Sequence, residues 1–338
     1  MPVVAVEAGF ELDDRVARKL LRDLYVARPA LYWLDFVLSS LVGWAAFGLM
    51  VGTPLSAGTL LLGAASVFAL YRGLSFLHEI AHIRKRSLRA FDAVWNVLIG
   101  FPLLLPSFMY TGVHQAHHSL GTYGTSRDPE YLPFAQSRRM TVLFALESIL
   151  IPAVLLLRYL VLAPVGLIVP RFQRWLASHA SALTMNFNYK REVTPRLLTR
   201  IRRHSALILV FWGTALAWLP GRFLLMWFAV FSAISFVNTL RTLGAHKYAG
   251  SGNPLDRSEQ LRDSVDIPGA FWTELWAPVG LRYHALHHYF PGIPYHNLPE
   301  AHRRLVAALP ANGIYRSASR SGLLASLASL LGRAPAVR

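Results

Sequence analysis

From Phe36 to Tyr71 the chain carries no charged residue, and Pro54 stands near the middle of that run. A helix that crosses a membrane needs about 20 apolar residues. The run is therefore long enough for two spans joined at Gly52-Thr53-Pro54. Lipid offers backbone N–H and C=O groups no partner, so such a segment must be helical. A second hairpin is expected from about Ser205 to Leu240, broken at Leu219-Pro220-Gly221-Arg222. Composition agrees: 15% of residues are charged, where a soluble domain carries about a quarter. The expectation is an all-α integral membrane protein with two helical hairpins, about four spans.

Two further apolar stretches fit a straight span less well. Ala93 to Val113 is uncharged but holds Asn96, Gly100, Pro102 and Pro106, which suits a bent, shallow or re-entrant element. Thr141 to Pro170 holds Glu147, Pro152, Arg158 and Pro164 and is expected as one or two half-immersed helices. Basic residues set the orientation. Arg15, Arg18, Lys19, Arg22 and Arg28 precede the first hairpin, and Arg84, Lys85, Arg86 and Arg89 follow it. Arg171, Arg174, Lys190, Arg191, Arg196, Arg200, Arg202 and Arg203 precede the second, whose turn has only Arg222. The positive-inside rule then puts both termini and the central loops in the cytoplasm. Residues 1–30 read as a charged N-terminal surface segment without the apolar core of a signal peptide. Residues 31–310 read as the membrane domain, and 311–338 as a tail ending in a surface helix or frayed end. The net charge of +16 fits an anionic membrane surface better than nucleic acid, given the apolar blocks.

The chain has no cysteine, so any metal must sit on nitrogen or oxygen ligands. It has 13 histidines, and eight fall in three clusters: His78-x-x-x-His82, His114-x-x-His117-His118 and His284-x-x-His287-His288. Positions i, i+3 and i+4 of a helix are neighbours, so each cluster can aim two imidazoles, and partly a third, at one point. Neutral imidazole binds iron, zinc, copper and nickel. Lone histidines are usually satisfied polar residues; three such clusters at membrane borders point to a metal site. Both hairpins return to one side, so the clusters meet only if Ala93–Val113 does not cross and Thr141–Pro170 crosses zero or two times.

The three clusters in this order resemble the histidine boxes of the membrane fatty acid desaturase family, bacterial type. The resemblance covers residues 30 to about 310. It includes Gly121-Thr122, Asp128-Pro129-Glu130-Tyr131, Leu240-Arg241-Thr242-Leu243-Gly244-Ala245-His246 and Trp276-Ala277-Pro278-Val279-Gly280-Leu281-Arg282-Tyr283-His284. It implies a cytoplasmic helical cap over a di-iron site held by the box histidines, with His246 completing the set. It also implies O2-dependent desaturation of a lipid acyl chain (on a glycerolipid, CoA or acyl-carrier protein), in the inner membrane of a bacterium. Some relatives carry a metal-assisting asparagine four residues before the extra histidine. Thr242 stands there, and Asn238 is the nearest asparagine.

Glu79, Asp92, Asp128, Glu130 and Asp266 are candidate partners for imidazole N–H groups, and His296 could orient a ligand. His302, like His296, could orient a ligand or simply pack, and His179 and His204 are expected to be solvated. Trp95, Phe101, Phe108, Tyr110, Trp272 and Trp276 are candidate walls of an acyl tunnel. With no haem or flavin module visible, electrons are expected from a separate protein such as ferredoxin, drawn to the basic surface. The same site could instead hydroxylate a fatty acyl, sphingoid, terpenoid or alkane chain. More remote alternatives are a zinc hydrolase and a metal transporter or sensor, although transporters hold their ligands within spans.

Overall fold

The computed structural model describes residues 14–83, 88–180 and 184–332. Arg84, Lys85 and Arg86, the start of the N-terminal segment and the end of the tail lie outside the described residues. Among the described residues the fold is helical, with only isolated β-bridges such as that between Asp266 and Tyr283. The helices are α1 (Asp14–Leu21), α2 (Pro29–Gly52), α3 (Ala57–His82), α4 (Phe91–Gly100), α5 (Ser107–His117), α6 (Arg138–Ile168) and α7 (Pro170–His179). They continue as α8 (Pro195–Trp218), α9 (Gly221–Ala245), α10 (Arg257–Asp263), α11 (His284–Tyr289), α12 (Leu298–Ala308) and α13 (Leu323–Gly332).

The first hairpin is α2 and α3. Pro29 opens α2 in its first turn, where its missing N–H costs nothing. Ser56 restarts the chain as the N-cap of α3, its Oγ accepting from the Thr59 N–H at 3.2 Å. The second hairpin, α8 and α9, turns at Leu219-Pro220 as expected. Thr194 caps α8 in the same way as Ser56. Four helices are long and apolar enough to cross a membrane: α2, α3, α6 and α9. The chain is thus a multi-pass membrane protein. α8 does not reach that measure, because its first half carries Arg196, Arg200, Arg202 and Arg203.

The stretch from Ala93 to Val113 is re-entrant. α4 ends in a wide π turn at Asn96–Gly100, the chain reverses through Leu104 at φ +57°, and α5 climbs back. Such a bend frees carbonyls where lipid could not satisfy them. Three tryptophans do so instead. Trp44 Nε1–H donates to the Leu98 carbonyl at 2.7 Å, Trp212 to Phe101 at 3.1 Å and Trp227 to Pro102 at 2.9 Å. Across the bend Asn96 ties its two arms, accepting from the Ser107 N–H at 2.9 Å and donating to Ser107 Oγ at 2.8 Å. Replacing Trp227 with phenylalanine keeps an aromatic ring, smaller than the indole, and strands the Pro102 carbonyl. The expected cost is about 1–3 kcal/mol, seen as a lower melting temperature in detergent; an unchanged one would show that this bond does not support the bend.

α6 is a single helix rather than two, interrupted by a tight turn at Ser148–Leu150 and a π turn at Leu157–Leu162. Its first residues Met140 and Phe144 pack into the cluster that holds Leu243. Its middle reaches Ser232, whose Oγ–H donates to Ile149 at 2.8 Å. Its end meets Arg202, which donates to the Leu167 carbonyl at 3.4 Å. Counting about 1.5 Å per residue from the Pro220 turn, these levels are roughly 33, 17 and 24 Å along the second hairpin. Its start and its middle thus lie at different levels of the second hairpin, and by length and composition the helix could itself cross a membrane.

Helices α1, α11 and α12 form a cap. Ala17, Leu21 and Leu24 from the N-terminal segment are buried with Leu286, Tyr289, Phe290, Leu305 and Tyr315. As far as Gly332 the tail is a helix on the surface that turns Ser326 and Leu330 inward. Ser326 Oγ–H on α13 donates to the Gly244 carbonyl at 2.7 Å, Leu330 is buried beside Leu243, and a side chain at Gly244 would strike Leu323. The physical reason is the small residue at 244, which lets α13 approach the end of α9.

Candidate metal centre

The last two turns of α3, the end of α5, the residue after α9 and α11 all open onto one point beneath the cap. The nine histidines there sort into two groups, and the sorting cuts across the three boxes. His78, His82, His114, His118 and His287 form one; His117, His246, His284 and His288 form the other. In each group the nitrogens lie within 4.8 Å of one another. Helical geometry explains the pattern. Positions i and i+4 point about 40° apart and i+3 about 60° the other way. Each i, i+4 pair therefore stays together, while His117 and His287 swing to the opposite group.

Second nitrogens are tied down behind several rings. His117 Nδ1–H donates to Asp128 at 2.9 Å, and His114 Nδ1–H to Glu130 at 2.8 Å. Tyr123 O–H donates to Asp263 at 3.0 Å and lies 2.8 Å from His246 Nδ1, whose N–H it accepts. These bonds leave each Nε2 as a bare lone pair. Burial, then the neighbouring imidazoles, hold His114, His118, His284, His287 and His288 well below the usual range. Burial likewise lowers His246. It pulls His117 the same way, but Asp128 outweighs it and holds that ring above its ordinary value.

The residues fit metal ions. Nε2 atoms face one another at 2.8 Å in His246–His284 and 3.1 Å in His284–His288, His114–His118 and His82–His287. At that distance either one ring donates its Nε2–H to the other or a cation lies between the two nitrogens. Ligands at right angles around an ion about 2.1 Å away would stand about 3 Å apart. Both ring nitrogens of buried His78 lack a hydrogen-bond partner among the described residues.

Below the histidines lies a cavity of about 230 Å³. α3 contributes Tyr71, Leu74 and His78, α9 contributes Phe231, Ile234, Asn238 and Arg241, and α6 closes it with Leu155, Arg158 and Tyr159.

The family model described as Fatty acid desaturase matches residues 53–320. A ceramide hydroxylase of Caulobacter vibrioides (strain NA1000 / CB15N) is 42% identical over 328 residues, spanning 94% of this chain and 93% of that protein. The chain belongs to the fatty acid desaturase family.

Among the second-sphere candidates of this desaturase-family site, Asp128 and Glu130 stand behind imidazoles. Burial pushes the Glu130 carboxyl up to about 7, against the pull of His117. Asp266 sits one step further out, accepting from the Leu286 N–H at 3.1 Å and from Tyr315 O–H. Burial pushes it up to about 7 as well. Asn238 and Thr242 line the cavity, Asn238 accepting from Arg241 at 2.9 Å. Glu79 is neither behind a histidine nor at the surface. It is buried and turned away, bonded to Tyr32 O–H and the Tyr295 N–H, with His78 Nδ1 3.9 Å off. Asp92 serves the re-entrant bend through Asn96 and Ser107. His296 accepts from the Arg28 N–H at 3.1 Å, far along the cap. His302 packs beside Tyr315. His179 is exposed, but His204 is buried, 4.6 Å from the Phe108 ring, because α8 turns that face inward.

Of the aromatic wall candidates only Tyr110 lines the cavity. Trp95 is fully buried and donates to the Gly73 carbonyl at 2.9 Å. Phe101 packs in the membrane core, and Phe108 faces a second, basic pocket with Arg191 and Arg200. Trp272 is exposed, and the Trp276 carbonyl accepts from Tyr71 O–H at 3.2 Å. Which way a ring points depends on how its helix is rotated against neighbours, which composition does not reveal. The sequence does not single out Asp263 and Tyr123 as partners. Tyr123 directly follows Gly121-Thr122, the pair that carries the family resemblance, and that adjacency is its only signal; Asp263 carries no local signal.

Proposed function

We propose that this chain is an O2-dependent lipid hydroxylase that acts on a ceramide or a related sphingoid lipid. The carrying observation is its 42% identity to a ceramide hydroxylase along nearly the whole of both chains. That relative favours hydroxylation, the alternative from the sequence, over desaturation. The cavity beneath the histidines and the apolar helices support a lipid substrate.

The two histidine groups would each hold an iron ion, His78, His82, His114, His118 and His287 one, and His117, His246, His284 and His288 the other. Two iron ions with dioxygen supply an oxidant strong enough to take hydrogen from an unactivated methylene. One oxygen atom then enters the C–H bond, and the other leaves as water with two electrons and two protons. Those electrons come from a separate donor of the ferredoxin kind, docked on the basic surface. The chain's own residues prepare the site. Asp128, Glu130 and Tyr123 fix the tautomer of their imidazoles. Tyr71, Leu74, Phe231 and Ile234 hold the chain of the substrate and exclude water. The site faces the cytoplasm of a bacterial cell, on the side of the basic loops.

Desaturation is the second reading, favoured by the family's description and by its shared first step, removal of one hydrogen. Mass spectrometry of lipids from a bacterial host supplied with ceramide and expressing this chain with a ferredoxin system distinguishes them. Ceramides heavier by one oxygen are expected. Ceramides lighter by two hydrogens, with no oxygenated product, would replace hydroxylation with desaturation.

A further inference from the structure

Arg158 lies in the apolar body of α6 and lines the same cavity as His78, His114, His117, His246 and His284. It is 6% exposed. Its Nε–H donates to the Ala180 carbonyl at 2.7 Å, and its guanidinium lies 4.9 Å from the Tyr159 ring centre. Neither terminal nitrogen has a hydrogen-bond partner among the described residues. The other cavity guanidinium, Arg241, is already engaged by Asn238. A charged side chain in an apolar segment is costly, and such residues mark substrate or ion pathways. At this residue α6 widens into its π turn, Leu157–Leu162, a distortion frequent at functional sites.

We infer that Arg158 binds the polar head of the lipid substrate, its two terminal NH2 groups donating to the amide carbonyl and a hydroxyl of a ceramide-type head. This rests on the proposed lipid-hydroxylase function and names the group that anchors the substrate. A head held at Arg158 sets which methylene lies under the histidines, so the residue positions the substrate and takes no part in the oxidation. An alkyl chain alone would leave the fork unpaired, and a site built to hydrogen-bond a polar group discriminates strongly against analogues that lack it.

The test is competition binding by native mass spectrometry on the full chain in detergent, with a ceramide against an alkane-1,2-diol of matching length, which has hydroxyls but no amide carbonyl. Wild type is expected to prefer the ceramide by about ten- to hundred-fold, the value of hydrogen bonds to a charged donor. Arg158→Met should lose that preference while still binding the diol, which shows that the cavity has folded. Arg158→Lys should restore part of it. In turnover, Arg158→Met should raise KM more than it lowers kcat and scatter the position of the hydroxyl. Arg158→Met with wild-type preference overturns the assignment. So does wild type that binds both lipids equally. Ceramide bound through Arg158 but never oxidised would uphold the head-group site and count against the hydroxylase reading, so the two fail separately.

Discussion

His117→Ala is expected to abolish product formation and to lower bound iron by about half, while the protein still inserts in the membrane. His117 is the one member of its box that joins the group of His246, His284 and His288. Without it that group keeps three nitrogens from the far side of the site and loses the ligand anchored by Asp128. The other group keeps all five of its rings, so some metal should remain. Iron analysis of the purified variant beside wild type measures this directly. Full iron with full activity would remove His117 from the ligand set. His204→Ala is the useful control, a histidine 8% exposed and packed on Phe108. It should lower stability and leave iron content unchanged.

Asp128→Ala has the next largest expected effect. The carboxylate has no exposed surface. It accepts from His117 Nδ1–H at 2.9 Å, from the Glu130 N–H at 2.9 Å and from the Gly124 N–H at 3.0 Å. Alanine frees the ring to rotate and change tautomer, which typically weakens metal affinity by about 10–100-fold. It also strands two buried N–H groups, at about 1–3 kcal/mol each. Asp128→Asn keeps the shape and one acceptor oxygen, so its loss should be smaller. Chelator titration separates the variants. Wild-type resistance to chelator in Asp128→Ala would mean that the bond orients nothing.

Much of the site was legible because its signals are local. The i, i+4 spacing of His78 and His82 on a helix leaving the membrane needs no tertiary knowledge. Pro54 and Pro220 mark turns wherever they stand between apolar runs. The bend at Asn96–Pro106 could also be read, since Pro102 and Pro106 cannot continue a ladder of helix bonds. What closes the bend could not. Trp44, Trp212 and Trp227 reach it from three other helices, across separations no pattern encodes. The same holds for the cavity wall. Trp95 and Tyr110 looked equivalent in sequence, and only packing turns one into the core and the other toward His114. Glu79 misled for a related reason. It follows His78 directly, about 100° around the helix, which sends it to Tyr32 and Tyr295 rather than to the histidines.

The most direct test of the proposed hydroxylation is turnover of the purified, iron-loaded chain with a ceramide, a ferredoxin system and isotopically heavy dioxygen. The expected product is a hydroxylated ceramide that carries one heavy oxygen atom in its new hydroxyl, formed by wild type and absent with His117→Ala. A product with a new double bond and no heavy oxygen, or a hydroxyl whose oxygen came from water, would contradict it.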